Sequence, residues 1–180
     1  MKTLLFITIF FMITPSEVLM LDFGQTFENK PWAIVNDGVM GGKSQSQVIE
    51  HKNSLVFSGK ISLKNNGGFA SLQSPKENQD LSQFTHVAIK YRSSGQDFAL
   101  RLLKYQAFYR PHFKHHFKPT DGEWQLVSIP LSDFEEYVLS SPTGATISKT
   151  DLQEIIRLGI IVSNKKEGPF SIEIDYIKFV

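Results

Sequence analysis

Cysteine is absent from all 180 residues. That absence excludes a disulfide scaffold, thiolate zinc sites, a cysteine nucleophile and any lipid anchor carried on a thiol. An excess of either charge is absent too: 19 lysines and arginines stand against 18 aspartates and glutamates, for a net charge of +1. No global field therefore draws the chain to nucleic acid or to an anionic membrane surface. Catalytic motifs are missing as well. No Gly-x-Ser-x-Gly elbow exposes a serine nucleophile, and the glycine-dense run from Gly38 to Gly42 has neither phosphate-loop spacing nor a long helix behind it. Asp133, Glu135, Glu136, Glu173 and Asp175 read as strand-face carboxylates in water, because a glycosidase pair must face across a cleft. The sequence thus predicts a non-catalytic protein without cofactor or metal.

What is present describes a single globular domain. Hydrophobic residues make up 41% and charged residues 21% of the chain, too apolar for a disordered segment. A chain of this length buries about two-thirds of its unfolded surface. Met1-Lys2-Thr3, an apolar run from Leu4 to Ile13 and then Thr14-Pro15-Ser16 form the pattern of a secretory signal. The run is about half the roughly 20 residues that a membrane-spanning helix needs. Residues 1–16 are therefore expected to be an export signal to the periplasm or cell envelope, and residues 17–180 one domain. Without a working signal the expected place is the cytoplasm, at a membrane.

The domain reads as all-β. Fifteen phenylalanines and a recurrent period of two predict short strands around an aromatic core. Phe57, Gly59, Ile61 and Leu63 alternate with Ser58, Lys60 and Ser62. Val87, Ile89 and Tyr91 share a face, as do Phe98, Leu100 and Leu102, and Phe170, Ile172, Ile174 and Tyr176. Asn65-Asn66-Gly67-Gly68 predicts a hairpin turn, since asparagine and glycine tolerate positive φ. The run from Asp37 to Gly42 predicts a constrained turn that buries Trp32 and Met40. One short helix is expected, with Thr150-Asp151-Leu152-Gln153 as a capping box. Many short strands and a single helix predict a two-sheet β-sandwich or jelly roll.

Two groups of residues are candidates for binding. In the stretch from Tyr109 to Lys118, strand alternation puts Arg110, His112, Lys114, His116 and Lys118 on one face. Lys114 between the histidines would repel a metal ion, so this face is expected to be a solvated basic surface, with an anionic partner as the alternative. Alternation also turns Arg92 and Arg101 away from Tyr91 and Leu102. With Tyr105 and Arg110 they are expected either to line a groove for a sugar or peptide, or to form an ordinary polar sheet face.

Two segments resemble a known family. Trp32-Ala33-Ile34-Val35-Asn36-Asp37-Gly38-Val39-Met40-Gly41-Gly42-Lys43-Ser44 is similar to the signature of the complex I intermediate-associated protein 30 family. Phe57-Ser58-Gly59 followed by Asn65-Asn66-Gly67-Gly68-Phe69-Ala70-Ser71 resembles its second block. Trp124 before Ile129-Pro130-Leu131 and Phe134, and the stretch from Ile160 through Gly168-Pro169-Phe170 to Ile177, resemble its later strands. Where the family often has Gly-Asp-Gly after its arginine strand, this chain has Arg92-Ser93-Ser94-Gly95-Gln96.

The resemblance implies a galactose-binding-like jelly roll and a non-catalytic assembly or chaperone-like role. The partner it implies is a protein, such as a membrane-complex assembly intermediate. Export and the jelly roll together imply the alternative, a carbohydrate-binding module of the cell envelope. Within the motif, Trp32, Phe57 and Phe69 are expected in the core. Asn36 and Asp37 either cap turn amides or touch a ligand.

Overall fold

The structure, a computed structural model, describes residues 18–24 and 31–180; the expected export signal lies outside them. In chain order the strands are β1 (Leu19–Asp22), β2 (Ala33–Asn36), β3 (Gln45–His51), β4 (Ser54–Ile61), β5 (Ala70–Gln73), β6 (His86–Ser94) and β7 (Phe98–Leu103). There follow β8 (His112–Phe117), β9 (Gln125–Pro130), β10 (Glu135–Val138), β11 (Ser141–Thr146), β12 (Arg157–Val162) and β13 (Gly168–Phe179), with one α-helix, α1 (Lys149–Leu152), before β12. They pair antiparallel into two sheets. A six-stranded sheet runs β3-β4-β13-β6-β9, with β1 also beside β13, and a seven-stranded sheet runs β11-β10-β8-β7-β12-β5-β2. This is the all-β jelly-roll sandwich that the alternating sequence predicts.

The core lies between the sheets, and the alternation dictates which residues enter it. On β13, Phe170, Ile172 and Ile174 point inward; a bulge between Ile174 and Tyr176 then resets the phase, so that Ile177 and Phe179 are buried next. Aromatic rings connect the layers. Phe57 on β4 lies 5.0 Å from Phe170 on β13, which meets Phe98 on β7 at 6.2 Å. Phe98 stacks on Phe117 of β8 at 6.1 Å, and Phe117 meets Tyr91 of β6 edge-on at 4.8 Å.

Four local expectations need correction. The Asn65–Gly68 stretch is not a hairpin turn: it carries the chain from β4 in one sheet to β5 in the other, although Asn65 and Asn66 do adopt φ of 56° and 58°. Trp32 is buried, but Met40 is 59% exposed at the tip of its turn. Phe69 is half-buried rather than core. The helix begins two residues before the expected capping box. Ser148 is its N-cap, and Ser148 and Asp151 bond each other's backbone amides. Ser148 wins because its side chain reaches the third amide of the helix, the position a capping box requires.

Candidate functional site

Two places hold the residues that the sequence singles out. The first is the cradle around Asp37. The chain turns out of β2 into a 3-10 turn over Asp37–Met40, which closes with Gly41 at φ 87°. The Asp37 carboxylate, fully buried, collects donors from two segments. Its Oδ1 accepts from the Ser44 amide at 2.9 Å. Its Oδ2 accepts from the Ser44 hydroxyl at 2.5 Å, the Gly68 amide at 2.6 Å and the Phe69 amide at 3.3 Å. Burial pushes this carboxyl up, but the Ser44, Gly68 and Phe69 bonds outweigh it and hold it below the ordinary aspartate value. Asn36 next to it accepts from the Ser46 hydroxyl at 2.7 Å. Asp37 therefore caps backbone amides as Asx chemistry allows, whereas Asn36, at the N-cap of the turn, caps none of its amides with its side chain and bonds the Ser46 side chain instead.

The glycines make this approach possible. A Cβ on Gly42 would strike the Asp37 carboxyl, and one on Gly67 would lie 2.6 Å from Asp37 Oδ2 and 2.8 Å from the Ser62 carbonyl. Gly67→Ala is expected to destabilise the fold by about 2 kcal/mol, as overpacking a filled site does. A lowered urea midpoint at an unchanged slope checks this.

The second place is the outward face of the seven-stranded sheet. Register places Arg101 on β7 directly opposite Lys114 on β8 and, on its other side, Gly159 on β12. His112 and His116 flank Lys114 on the same face, and Glu135 and Tyr137 of β10 lie beyond them. Tyr137 is the hub. Lys114 Nζ sits 3.7 Å over its ring, and His112 and His116 lie 6.3 and 6.2 Å from it.

The expectation of a solvated basic surface fails at this centre. Arg101, His112 and Lys114 are only 8%, 5% and 7% exposed, while His116 and Arg110 remain exposed. Alternation told which face these residues take, but not that the face itself is removed from water. Among the described residues no carboxylate pairs with Arg101 or Lys114. Arg101 Nε, His112 Nδ1 and Ser71 Oγ, all buried, have no hydrogen-bond partner; Ser71 joins the same face on β5, two strands from Arg101.

The electrostatics follow from this burial. Burial alone lowers Arg101 to about 10. Burial and then the Arg101 charge lower Lys114 to about 8, against a smaller upward pull from Glu135. Burial, Arg101 and Lys114 lower His112 from 6.5 to about 3, against a smaller upward pull from the Arg110 backbone. His112 is thus neutral when folded and protonates once unfolded, so its contribution to stability is complete above pH 6.5 and drains away as pH falls toward 3. The protein is expected to lose stability already between pH 6.5 and 4.5, above the range where its carboxylates titrate. His112→Phe should flatten that part of the pH–stability curve in urea titrations.

A loop rims this face between β7 and β8. Arg110 lies 4.3 Å over the Tyr105 ring, and Phe108 and Tyr109 are 67% and 61% exposed. The alternation expected from Tyr109 begins only at His112, which leaves Tyr109 and Arg110 on the loop, and Phe108 carried no signal but its place beside a second aromatic. Arg92 does not belong here. It sits on β6 in the six-stranded sheet, so its outward side is the opposite face of the sandwich. There it bonds Glu173 at 2.6 and 2.7 Å and lies over Trp124 at 5.0 Å. The expected groove joining Arg92 to Arg101 cannot form, because the chain crosses between sheets from β6 to β7.

Among the described residues no three His, Asp or Glu side chains are grouped to hold a metal ion, and no helix is long and apolar enough to cross a membrane.

Comparison with known proteins places the cradle inside a family domain. The sequence model of complex I intermediate-associated protein 30 matches residues 21–174, both cradle segments included. The chain belongs to this family. Its relatives include a probable complex I intermediate-associated protein 30, mitochondrial, of Caenorhabditis elegans, 27% identical over 161 residues, 79% of this chain and 47% of that protein. The mouse protein named complex I intermediate-associated protein 30, mitochondrial, is 25% identical over 170 residues, 81% of this chain and 51% of that protein. The chain spans about half the length of these relatives. Among solved structures, a family 11 carbohydrate-binding module of a Clostridium thermocellum cellulosomal cellulase superposes with a TM-score of 0.65 at 20% identity, over 93% of this chain and 96% of that one. The family 11 module of the same organism in complex with a β-1,3-1,4-mixed-linked tetrasaccharide gives 0.66 at 17% identity, over 93% and 97%. At these identities the likeness is one of fold. Family membership joined to this fold makes the CIA30 domain of this chain a jelly-roll sandwich.

Proposed function

We propose that this protein is a non-catalytic assembly factor that grips a polypeptide partner through the outward face of its seven-stranded sheet. The reading rests on one observation: three buried polar atoms, Ser71 Oγ, Arg101 Nε and His112 Nδ1, lie without partners on that single face. Buried polar groups are nearly always bonded, and a face that desolvates them without satisfying them is one that a binding partner completes. Family membership supports a polypeptide partner tied to assembly of respiratory complex I. The exposed Phe108 and Tyr109 beside the face suit it as well, because aromatic anchors carry much of the energy of protein interfaces.

The alternative is a carbohydrate ligand, for which the exposed rings of the rim loop offer stacking surfaces. A neutral glucan would leave Arg101 and Lys114 uncompensated, and this disfavours it. Blue-native separation of membranes from the host, probed for the tagged full chain, tests the partner reading. Co-migration with subassemblies smaller than the finished complex is the expected result. A tagged chain that migrates only by itself, together with binding to a glycan array, would replace this reading with the alternative.

A further inference from the structure

We propose that Arg101 and Lys114 form a receptor for the carboxylate of an acidic side chain on the partner polypeptide. The inference rests on the binding face proposed above and adds the chemistry of what it receives. Register sets the two cations directly across from each other on adjacent strands, a separation of about 5 Å between backbones. Both are more than nine-tenths removed from water. Like charges held this close and desolvated repel, and a fold with no use for them would replace at least one by an apolar residue. Neither has a carboxylate partner among the described residues, and Arg101 Nε makes no bond at all.

The surroundings set the sign and the limits of the site. Lys114 is faced by Arg101 from β7, by Glu135 and Tyr137 from β10, and by His112 and His116 from its own strand. Glu135 is exposed and bonded by the Tyr137 hydroxyl at 3.1 Å. It answers part of one positive charge through space and leaves the other unanswered. His112 is neutral and adds no charge. On the far side of Arg101, Gly159 adds no side chain to the face. The planar fork of an arginine matches a carboxylate through two parallel N–H bonds, and the Lys114 ammonium adds a third donor with a second charge. One carboxylate would satisfy Arg101 Nε and neutralise the excess.

The test titrates the full chain with a Gly-Glu repeat peptide and with its Gly-Gln counterpart. Oligogalacturonate and inorganic phosphate serve as competitors. The glutamate peptide is expected to bind and the glutamine peptide to bind at least about tenfold more weakly. Arg101→Met and Lys114→Met should each weaken the glutamate peptide by about tenfold or more, and Arg101→Lys should fall between, since it keeps the charge and loses the fork. Lys60→Met, on the other sheet, should change nothing. Binding should weaken as pH rises through about 8, where Lys114 loses its proton. Arg101→Met should melt at or above the wild-type temperature, because it removes an unpaired buried charge, and Lys114→Met close to it, because it also gives up the contact with the Tyr137 ring.

Equal binding of the two peptides, or wild-type affinity in Arg101→Met, would overturn the proposal. So would a lowered melting temperature in both Met variants, which would make the cations structural. Stronger binding of galacturonate or phosphate than of the glutamate peptide would assign the site to another anion. If Arg101→Met/Lys114→Met still co-migrates with assembly intermediates, the partner reading stands and the carboxylate receptor falls. If the wild-type chain never co-migrates, the partner reading fails by itself.

Discussion

Replacing Asp37 by alanine is expected to lower the stability of the fold by about 3–5 kcal/mol, the loss seen when a hub of buried charged hydrogen bonds is removed. The change strands the Ser44 and Gly68 amides in a site already sealed from water and leaves the Ser44 hydroxyl only its bonds to Ser62. Asparagine at this position should be nearly as damaging. A carboxylate only accepts, and every group that faces Asp37 is a donor. In Asp37→Asn one carboxylate oxygen is exchanged for an NH2, which must point either at the Ser44 amide or at the Gly68 and Phe69 amides. Urea unfolding of both variants checks the claim, with Asp37→Asn expected within about 1 kcal/mol of Asp37→Ala. A near-normal Asp37→Asn would mean that the carboxylate serves a ligand instead of the turn. The same bonds predict an acid limb. The carboxyl is held below its ordinary value, so its contribution is complete above the unfolded aspartate pKa of 3.8 and is lost as pH falls below that through the folded value.

This cradle shows what the sequence made legible and where it stopped. The family resemblance flagged Asp37, Gly42 and Ser44 in one block and Gly67 and Gly68 in another, and Asx chemistry left Asp37 either capping amides or touching a ligand. The long-range partner was out of reach, because Gly68 lies 31 residues from Asp37 in the chain and no local rule brings the two together. Strands β6 and β13 were legible because one face is apolar and the other polar, and β7 because Phe98, Leu100 and Leu102 recur with a period of two. Strand β11 was not: Ser141–Thr146 is exposed along its whole length at the sheet edge, so it carries no apolar alternation. The candidate face was half legible. Alternation grouped His112, Lys114 and His116 and turned Arg101 outward. It could not say that Arg92 and Arg101 belong to opposite sheets, since that depends on a crossover between β6 and β7. Nor could it say that Lys114 is buried, since hydropathy ranks lysine as a surface residue unless its neighbours are known.

Phe98→Ala is expected to cost about 3–5 kcal/mol, comparable to the loss of Asp37 but by a different mechanism. Phe98 is fully buried and joins Phe170 of the six-stranded sheet to Phe117 of its own sheet. Truncation leaves a cavity where the two layers meet, and Phe170 and Phe117 each lose one of two aromatic contacts. Leucine should recover most of the loss and leave about 1 kcal/mol, since it refills volume without the ring contacts. Denaturant titration separates the three proteins. The strand geometry adds a sharper expectation. Phe98 points into the core while Ala99 and Arg101, on the same strand, point out to the candidate face. Well below its melting temperature, Phe98→Ala should therefore keep wild-type affinity for an acidic peptide, whereas Arg101→Met should keep stability and lose affinity. The two variants divide one strand into a side that holds the sandwich together and a side free to carry an unpaired charge. A Phe98→Ala protein that is folded but cannot bind would mean that packing across the layers, and not the outward side chains alone, shapes the face.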